Sequence, residues 1–421
     1  MKGESAQMVD HLFRTEYGKL VATLTRIFGA SYIQLAEDIV QETLITALNN
    51  WGVNGLPQNP SGWLMQVAKR KVFNEIKRNK MKATHHEAHQ YLQDAHADID
   101  QIFLENEIVD SQLRMIFTCC HPSLSVESQI ALTLKTLCGF GVREVANALL
   151  STESTINKRL YRAKLSIRTS NLAFNVPAAA ELTARLDAVA LSLYLLYNEG
   201  YNSTLDDNLI QKDLCLEALR LCKLMADHFD QYPKLYALLS LMCFHTARFD
   251  ARLDVHGAIV LFEDQDRSQW NKELINKGVQ YLQKSMGTEQ LSTYHIEAQI
   301  AAEHCLAPNF EQTDWTSIYK LYELLAKLKP NPIIALNLAI IKSKTEGLES
   351  SLKALEALQL DKGLDNYHLL PATQGVFLMK LEQYQQALPF LEQALKQKPS
   401  SAEGFVLKTK IEFCKEKLRD Q

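Results

Sequence analysis

The stretch TESTINKRLYRAKLSIR, Thr152 to Arg168, crowds Asn157, Lys158, Arg159, Tyr161 and Arg162 into one short segment. These side chains are cations and hydrogen-bond donors, and the chemistry they suit is recognition rather than bond breaking. An arginine fork reads guanine on two atoms, lysine reaches the same edge, and asparagine favours adenine. Interleaved with them, Ile156, Leu160, Ala163 and Ile167 recur at helical spacing, which predicts a helix with an apolar stripe packed inward. A basic face is also what keeps any surface helix in solution, so the neighbouring elements have to decide.

Directly before it, VREVANALL, Val142 to Leu150, places Val142, Val145, Ala146 and Leu149 on one helical face. Thr152 is suited to cap the second helix, and Glu153 complements its N-terminal dipole. Two short helices, a tight turn and a basic second helix read as a helix-turn-helix, whose second helix enters the DNA major groove. A second basic stretch, Asn59 to Lys82, sets Lys69, Arg70, Lys71, Lys77, Arg78, Lys80 and Lys82 against Glu75 alone. It follows AEDIVQETLITALNN, Ala36 to Asn50, where Leu35, Ile39, Thr43 and Ala47 are expected on one face and Glu37, Asp38, Gln41 and Glu42 on another, exposed one.

Between the basic parts, Ala83 to Asp110 carries Glu87, Asp94, Asp98, Asp100, Glu105, Glu107 and Asp110 and no Lys or Arg, the composition of a self-repelling linker. His85 and His89 stand four apart, and Cys119-Cys120-His121-Pro122 looks like a zinc fragment, yet neither completes a ligand set. The first reads as part of a solvated linker, the second as packing or a helix start. No Gly-rich phosphate loop, nucleophile elbow or HExxH occurs, so no catalytic residue, cofactor or metal is expected and the chain is not read as an enzyme.

The whole chain sets the frame. Its 421 residues, 47% hydrophobic, suffice for two or three domains, and a net charge of −4 means that any basic surface is local. The eight cysteines follow neither a zinc-ribbon nor a disulfide pattern, no secretory signal opens the sequence, and no apolar run is long enough to span a bilayer. A cytoplasmic protein without a membrane partner is expected.

With both basic parts in view, the chain resembles the extracytoplasmic-function (ECF) group of sigma factors in the bacterial sigma-70 family. AEDIVQET and SGWLMQVAKRKVFNEIKR are similar to sigma region 2, and LTLKTLCGFGVREVANALLSTESTINKRLYRAKLSIR is similar to region 4. The absence of a region 1.1 and of a folded region 3 matches the reduced ECF layout. The resemblance implies that Asp38, Gln41 and Glu42 meet the clamp helices of the polymerase large subunit. It implies that Asn59, Ser61, Lys69, Arg70, Asn74, Lys77 and Arg78 recognise and open the −10 element. Trp63 lies among them either as a strand-separating ring or as a core anchor. Asn157, Lys158, Tyr161 and Arg162 then fall where the family contacts the −35 element, with Arg159 on the backbone or supporting the helix. Asn and Lys stand where many ECF members have Arg and Ser, so no promoter sequence is implied.

Beyond Arg168 the sequence continues with ELTARLDAVALSLYLLYNEGY, LCLEALRLCKLMADHF, YPKLYALLSLMCFHTARFDAR and NKELINKGVQYLQKSM, all helical in pattern and with strand signals scarce. Near the end, Gly375, Leu378, Ala387, Leu391, Ala394 and Pro399 fit the packing positions of a tetratricopeptide (TPR) repeat, an architecture that presents protein-binding surfaces. Such an extension resembles the ECF subgroup with C-terminal helical repeats. Within it, Glu199, Asp264, Asp266, Arg267 and Trp270 are either a polar pocket for a peptide or small ligand, or salt bridges and caps between helices.

The expectation is therefore an all-α protein: region 2 over 1–82, an acidic linker over 83–110, region 4 over 111–172 and a TPR-like domain over 173–421. It would bind core RNA polymerase and promoter DNA, duplex and melted, while its helical domain regulates or supports that activity. Two rivals stand beside it. A stand-alone helix-turn-helix regulator with a TPR-like interaction domain has no need of the acidic helix. An enzyme or scaffold built on the helical half would leave the sigma-like part degenerate.

Overall fold

The computed structural model describes residues 2–81, 101–149, 151–201, 212–254, 260–287, 291–358, 364, 367–397, 399 and 401–419. His85, His89, Asp94, Asp98 and Asp100 lie outside them. The described residues are helical, without strands, and the chain divides into two compact units, Met1–Leu196 and Tyr197–Gln421.

The first unit opens with α1 (Lys2–Phe28), α2 (Ile33–Asn54) and α3 (Pro60–Met81), continues with α4 (Glu105–Cys119), α5 (Val126–Thr136), α6 (Val142–Ala148) and α7 (Glu153–Thr169), and takes in most of α8 (Ala179–Tyr201). Local signals set the ends. Gly55, with φ +77°, follows α2, and Pro60 starts α3 where its missing N–H costs nothing. Asn59 caps α3, its side-chain oxygen accepting from the Gly62 N–H at 2.9 Å. Leu20, Leu24, Leu64 and Val72 are buried in the first three helices, Leu113, Ile116 and Leu132 in the next two.

α4 begins at Glu105, inside the stretch read as linker. Glu107 and Asp110 are not free carboxylates: Arg26 of α1 pairs with them at 2.7 and 2.9 Å. The linker reading failed there because an acidic first turn looks alike whether it is solvated or seated against a cation. α1 also runs close to the end of α5. A Cβ placed on Gly18 would stand 2.0 Å from the Leu137 carbonyl oxygen, so the two backbones touch where only glycine fits. The boundary expected at residue 173 also falls early. Ser192 of α8 donates to Gln129, and Arg185 to the Phe117 carbonyl, so most of α8 belongs to the first unit.

The second unit is a series of helices, each packed on the next: α9 (Lys212–His228), α10 (Pro233–Thr246), α11 (Lys272–Ser285), α12 (Thr293–Leu306), α13 (Trp315–Leu328), α14 (Pro332–Thr345), α15 (Leu348–Leu358), α16 (Leu369–Lys380), α17 (Tyr384–Lys396) and α18 (Ser401–Arg419). At the join of α16 and α17, Gly375 lies so near Leu391 that a Cβ would sit 2.7 Å from its side chain, and Ala387 and Ala394 are fully buried. Small residues there let two helices approach, and Leu378, Leu391, Leu407 and Ile411 fill the space between.

Candidate nucleic-acid interface

The recognition segment folds as its period demands. Ile156, Leu160, Ala163 and Ile167 of α7 are buried, while Asn157, Lys158, Tyr161 and Arg162 are exposed, Tyr161 to 66%. Burying each large side chain in that stripe contributes roughly 1.5–3 kcal/mol, which fixes the rotation of the helix and hence the outward direction of its polar groups. Thr152 caps α7, accepting from the Thr155 N–H at 3.2 Å, and Glu144 closes the start of α6 by accepting from the Gly141 N–H at 2.7 Å. Arg159 is half-buried. The major-groove candidates thus share one open face, and Arg159 stands apart from them.

In α3, Arg70, Asn74, Lys77 and Arg78 are exposed and Ser61 and Lys69 half-buried. Arg78 is partly neutralised by Glu75 at 3.0 Å. Asn59, expected to face DNA, is engaged in capping its own helix. Trp63 is half-buried and lies 5.4 Å from Trp51, which in turn meets Phe13 at 5.4 Å. That aromatic row carries the core-anchor reading.

On α2, Asp38, Gln41 and Glu42 are exposed, and Ile45 and Leu48 extend the same ridge with large apolar groups that the sequence reading missed. Glu37 is not on that ridge. It is 1% exposed, and the Lys164 ammonium of α7 donates to it at 2.5 Å and to Gln34 at 2.8 Å. A carboxylate enters a low-dielectric site only with a cation to meet it. The sequence could not announce this, because the partner comes from the other basic part of the chain. Arg14 of α1 and Glu144 of α6 form a second tie at 2.7 Å. Between α2 and α7 lies a cleft of about 440 Å³ whose lining includes Gln34, Glu37 and Gln41 on one side and Asn157, Tyr161 and Lys164 on the other. Lys135 also lines it, its pKa lowered by burial. Burial, and then the Glu37 carboxylate nearby, push the Tyr17 phenol far above its usual range.

The Cys119-Cys120 pair is buried, with the Cys119 sulfur 3.2 Å from the Thr136 hydroxyl, and burial raises the Cys120 thiol to about 11. Such thiols are packing groups rather than thiolate ligands. Among the described residues no three His, Cys, Asp or Glu side chains gather as a metal site. In the second unit, Arg267 and Trp270 of the expected set lie together, the guanidinium 4.6 Å from the ring centre. Asp264 and Glu199 are exposed, and Asp266 caps a short turn by accepting from the Ser268 N–H at 2.9 Å. Arg267 and Trp270 point instead into a cationic, aromatic cluster.

With this geometry in hand, comparisons with known proteins agree on the first unit. Residues 12–81 match sigma-70 region 2 and residues 114–167 match sigma-70 region 4, while residues 185–286 match a family of unknown function, DUF6596. An uncharacterized protein of Rhizobium meliloti (strain 1021) is 33% identical over 382 residues, covering 90% of this chain and 90% of that protein. No solved structure matches the chain. Among the described residues no helix is long and apolar enough to cross a membrane.

Proposed function

The chain belongs to the sigma-70 family, and from that premise we propose that it is a sigma factor of the ECF type whose C-terminal helical repeats support transcription initiation. The observation that carries the reading is the union, in one compact unit, of an acid-bearing ridge on α2, a basic helix α3 and a helix-turn-helix with its polar face open. Each surface suits one step. Asp38, Gln41 and Glu42 complement a basic coiled coil of core polymerase, with Ile45 and Leu48 adding apolar contact. Arg70, Asn74, Lys77 and Arg78 hold the phosphates and bases of the melted −10 element. Asn157, Lys158, Tyr161 and Arg162 read the −35 duplex. Initiation by this route uses the polymerase's own chemistry, so the chain needs no catalytic group, and its partner places it in the cytoplasm.

The helix series of the second unit, with small residues at the α16–α17 join, supports a TPR-like reading and a role in binding protein. A stand-alone regulator would leave the acidic ridge of α2 without a partner. Copurification decides between them. The full chain should retain core RNA polymerase on a column in the absence of DNA, and Asp38→Arg with Glu42→Arg should lose it. A chain that retains no polymerase contradicts the reading.

A further inference from the structure

Three arginines of the second unit have no counter-ion among the described residues. Several half-buried arginines meet acids: Arg14 with Glu144, Arg26 with Glu107, Arg114 with Asp110 and Arg220 with Glu217. Arg248, Arg252 and Arg267 instead rest on rings and carbonyls. Arg248 lies 4.8 Å from the Phe262 ring centre and donates to the Tyr201 hydroxyl at 2.8 Å. Arg252 stacks 3.8 Å over Tyr201 and donates to its carbonyl. Arg267 lies 4.6 Å over Trp270 and donates to the carbonyls of His304 and Ala307. Among the described residues no carboxylate lies within ion-pair distance of these three, and the neighbouring Glu263 is taken up by Lys380. Rings and carbonyls orient a guanidinium but leave its charge in place.

Donors are also left over. Trp270 is 3% exposed and its indole N–H has no acceptor among the described residues, and beside it a second guanidinium nitrogen of Arg267 is likewise buried without one. His304 and Trp270 flank the same Phe262 ring on which Arg248 and Arg267 converge. The field of these cations registers on the histidines: after burial, Arg248 is the largest cause holding both His245 and His304 below their usual range. Unneutralised cations and orphaned donors are complementary to one kind of group, an oxyanion, which accepts from several donors and supplies the missing charge.

We propose that Arg248, Arg252 and Arg267, with the Trp270 indole, form an oxyanion site that takes the phosphate or carboxylate group of a small effector. This site is independent of the sigma reading, since its occupancy is measured without polymerase or DNA. The test is calorimetric titration of the full chain with inorganic phosphate and, separately, with acetate, at constant ionic strength set by chloride. Saturable binding with a dissociation constant in about the millimolar range is expected for at least one, because a lone oxyanion lacks the contacts of a whole effector. Response to phosphate alone identifies a phosphate-bearing effector, and response to acetate alone or to both extends the site to carboxylates. Arg248→Gln and Arg267→Gln should weaken binding by about tenfold or more. Where either variant loses its helical circular dichroism, Trp270→Phe replaces it, since that change removes one donor and keeps an aromatic ring. The ligand-induced rise in melting temperature seen in the native chain should then shrink. No saturable binding of either anion, or binding unchanged in the folded variants, overturns the site.

Discussion

Arg162 of α7 and Lys77 of α3 are both exposed cations, yet the proposed function gives them different work. Arg162→Ala or Lys158→Ala should cost on the order of 1–3 kcal/mol on the cognate upstream element and relax preference there. Lys77→Ala should weaken all sequences alike and flatten the salt dependence. Binding of the reconstituted polymerase to matched and mutated promoters at several salt concentrations separates the two, and an unaltered preference in Arg162→Ala rules out its assignment. The outward set of α7 was legible because its inward set recurs at helical spacing. Glu37 was misread because its partner Lys164 is remote in sequence, and the same spacing that exposes Asp38 gave no sign that its neighbour is buried. His304 supports a prediction about pH. Burial, then Arg248 and Arg267, lower its pKa from 6.5 to about 3, so the unfolded chain binds a proton there that the folded chain refuses. Its contribution is complete above pH 6.5 and is lost as pH falls toward 3, at roughly 1.4 kcal/mol per pH unit. Urea unfolding at pH 6.5 and pH 5 should therefore show a smaller loss in His304→Phe than in the native chain. Equal losses would remove His304 from the account.

At the scale of elements, α2 and α7 are joined by the Lys164–Glu37 pair, with Lys164 18% and Glu37 2% exposed at the side chain. Removing one partner of a buried pair costs about 3 kcal/mol, because the other charge stays behind. Lys164→Met should destabilise the first unit by about that amount, whereas Lys164→Glu combined with Glu37→Lys should recover part of it. Denaturant melts of the two variants and the native chain check this, and equal stability of all three would mean that the pair is idle. The helices themselves were legible from period and from the Thr152 cap, whereas Asn59, expected to face DNA, proved to cap its own helix. What the sequence concealed was the close approach at Gly18 and the seating of Glu107 and Asp110 on Arg26, since both depend on which helices meet. An acidic run and a lone glycine carry no local mark of a distant partner.

At the scale of the molecule, the order of acidic helix, basic helix and helix-turn-helix was readable because each element is defined by its own residues. The division of the chain at Leu196, within α8, was not, since a continuous apolar helix gives no signal at the point where its neighbours change. The extension is proposed to support initiation, so ending the chain after Tyr201 should lower transcription by about tenfold, equivalent to roughly 1.4 kcal/mol of lost coupling, while circular dichroism reports the remaining helices intact. Increased transcription would make the extension an inhibitor. The central claim is tested most directly by transcription from fragmented genomic DNA of the source organism, using core RNA polymerase with and without the purified chain, and by mapping the 5′ ends of the products. The account predicts a small set of new start sites that require both components, share upstream sequence at the −35 and −10 positions, and disappear with Asp38→Arg and Glu42→Arg. A chain that creates no start sites, or that binds specific DNA equally well without polymerase, would contradict it.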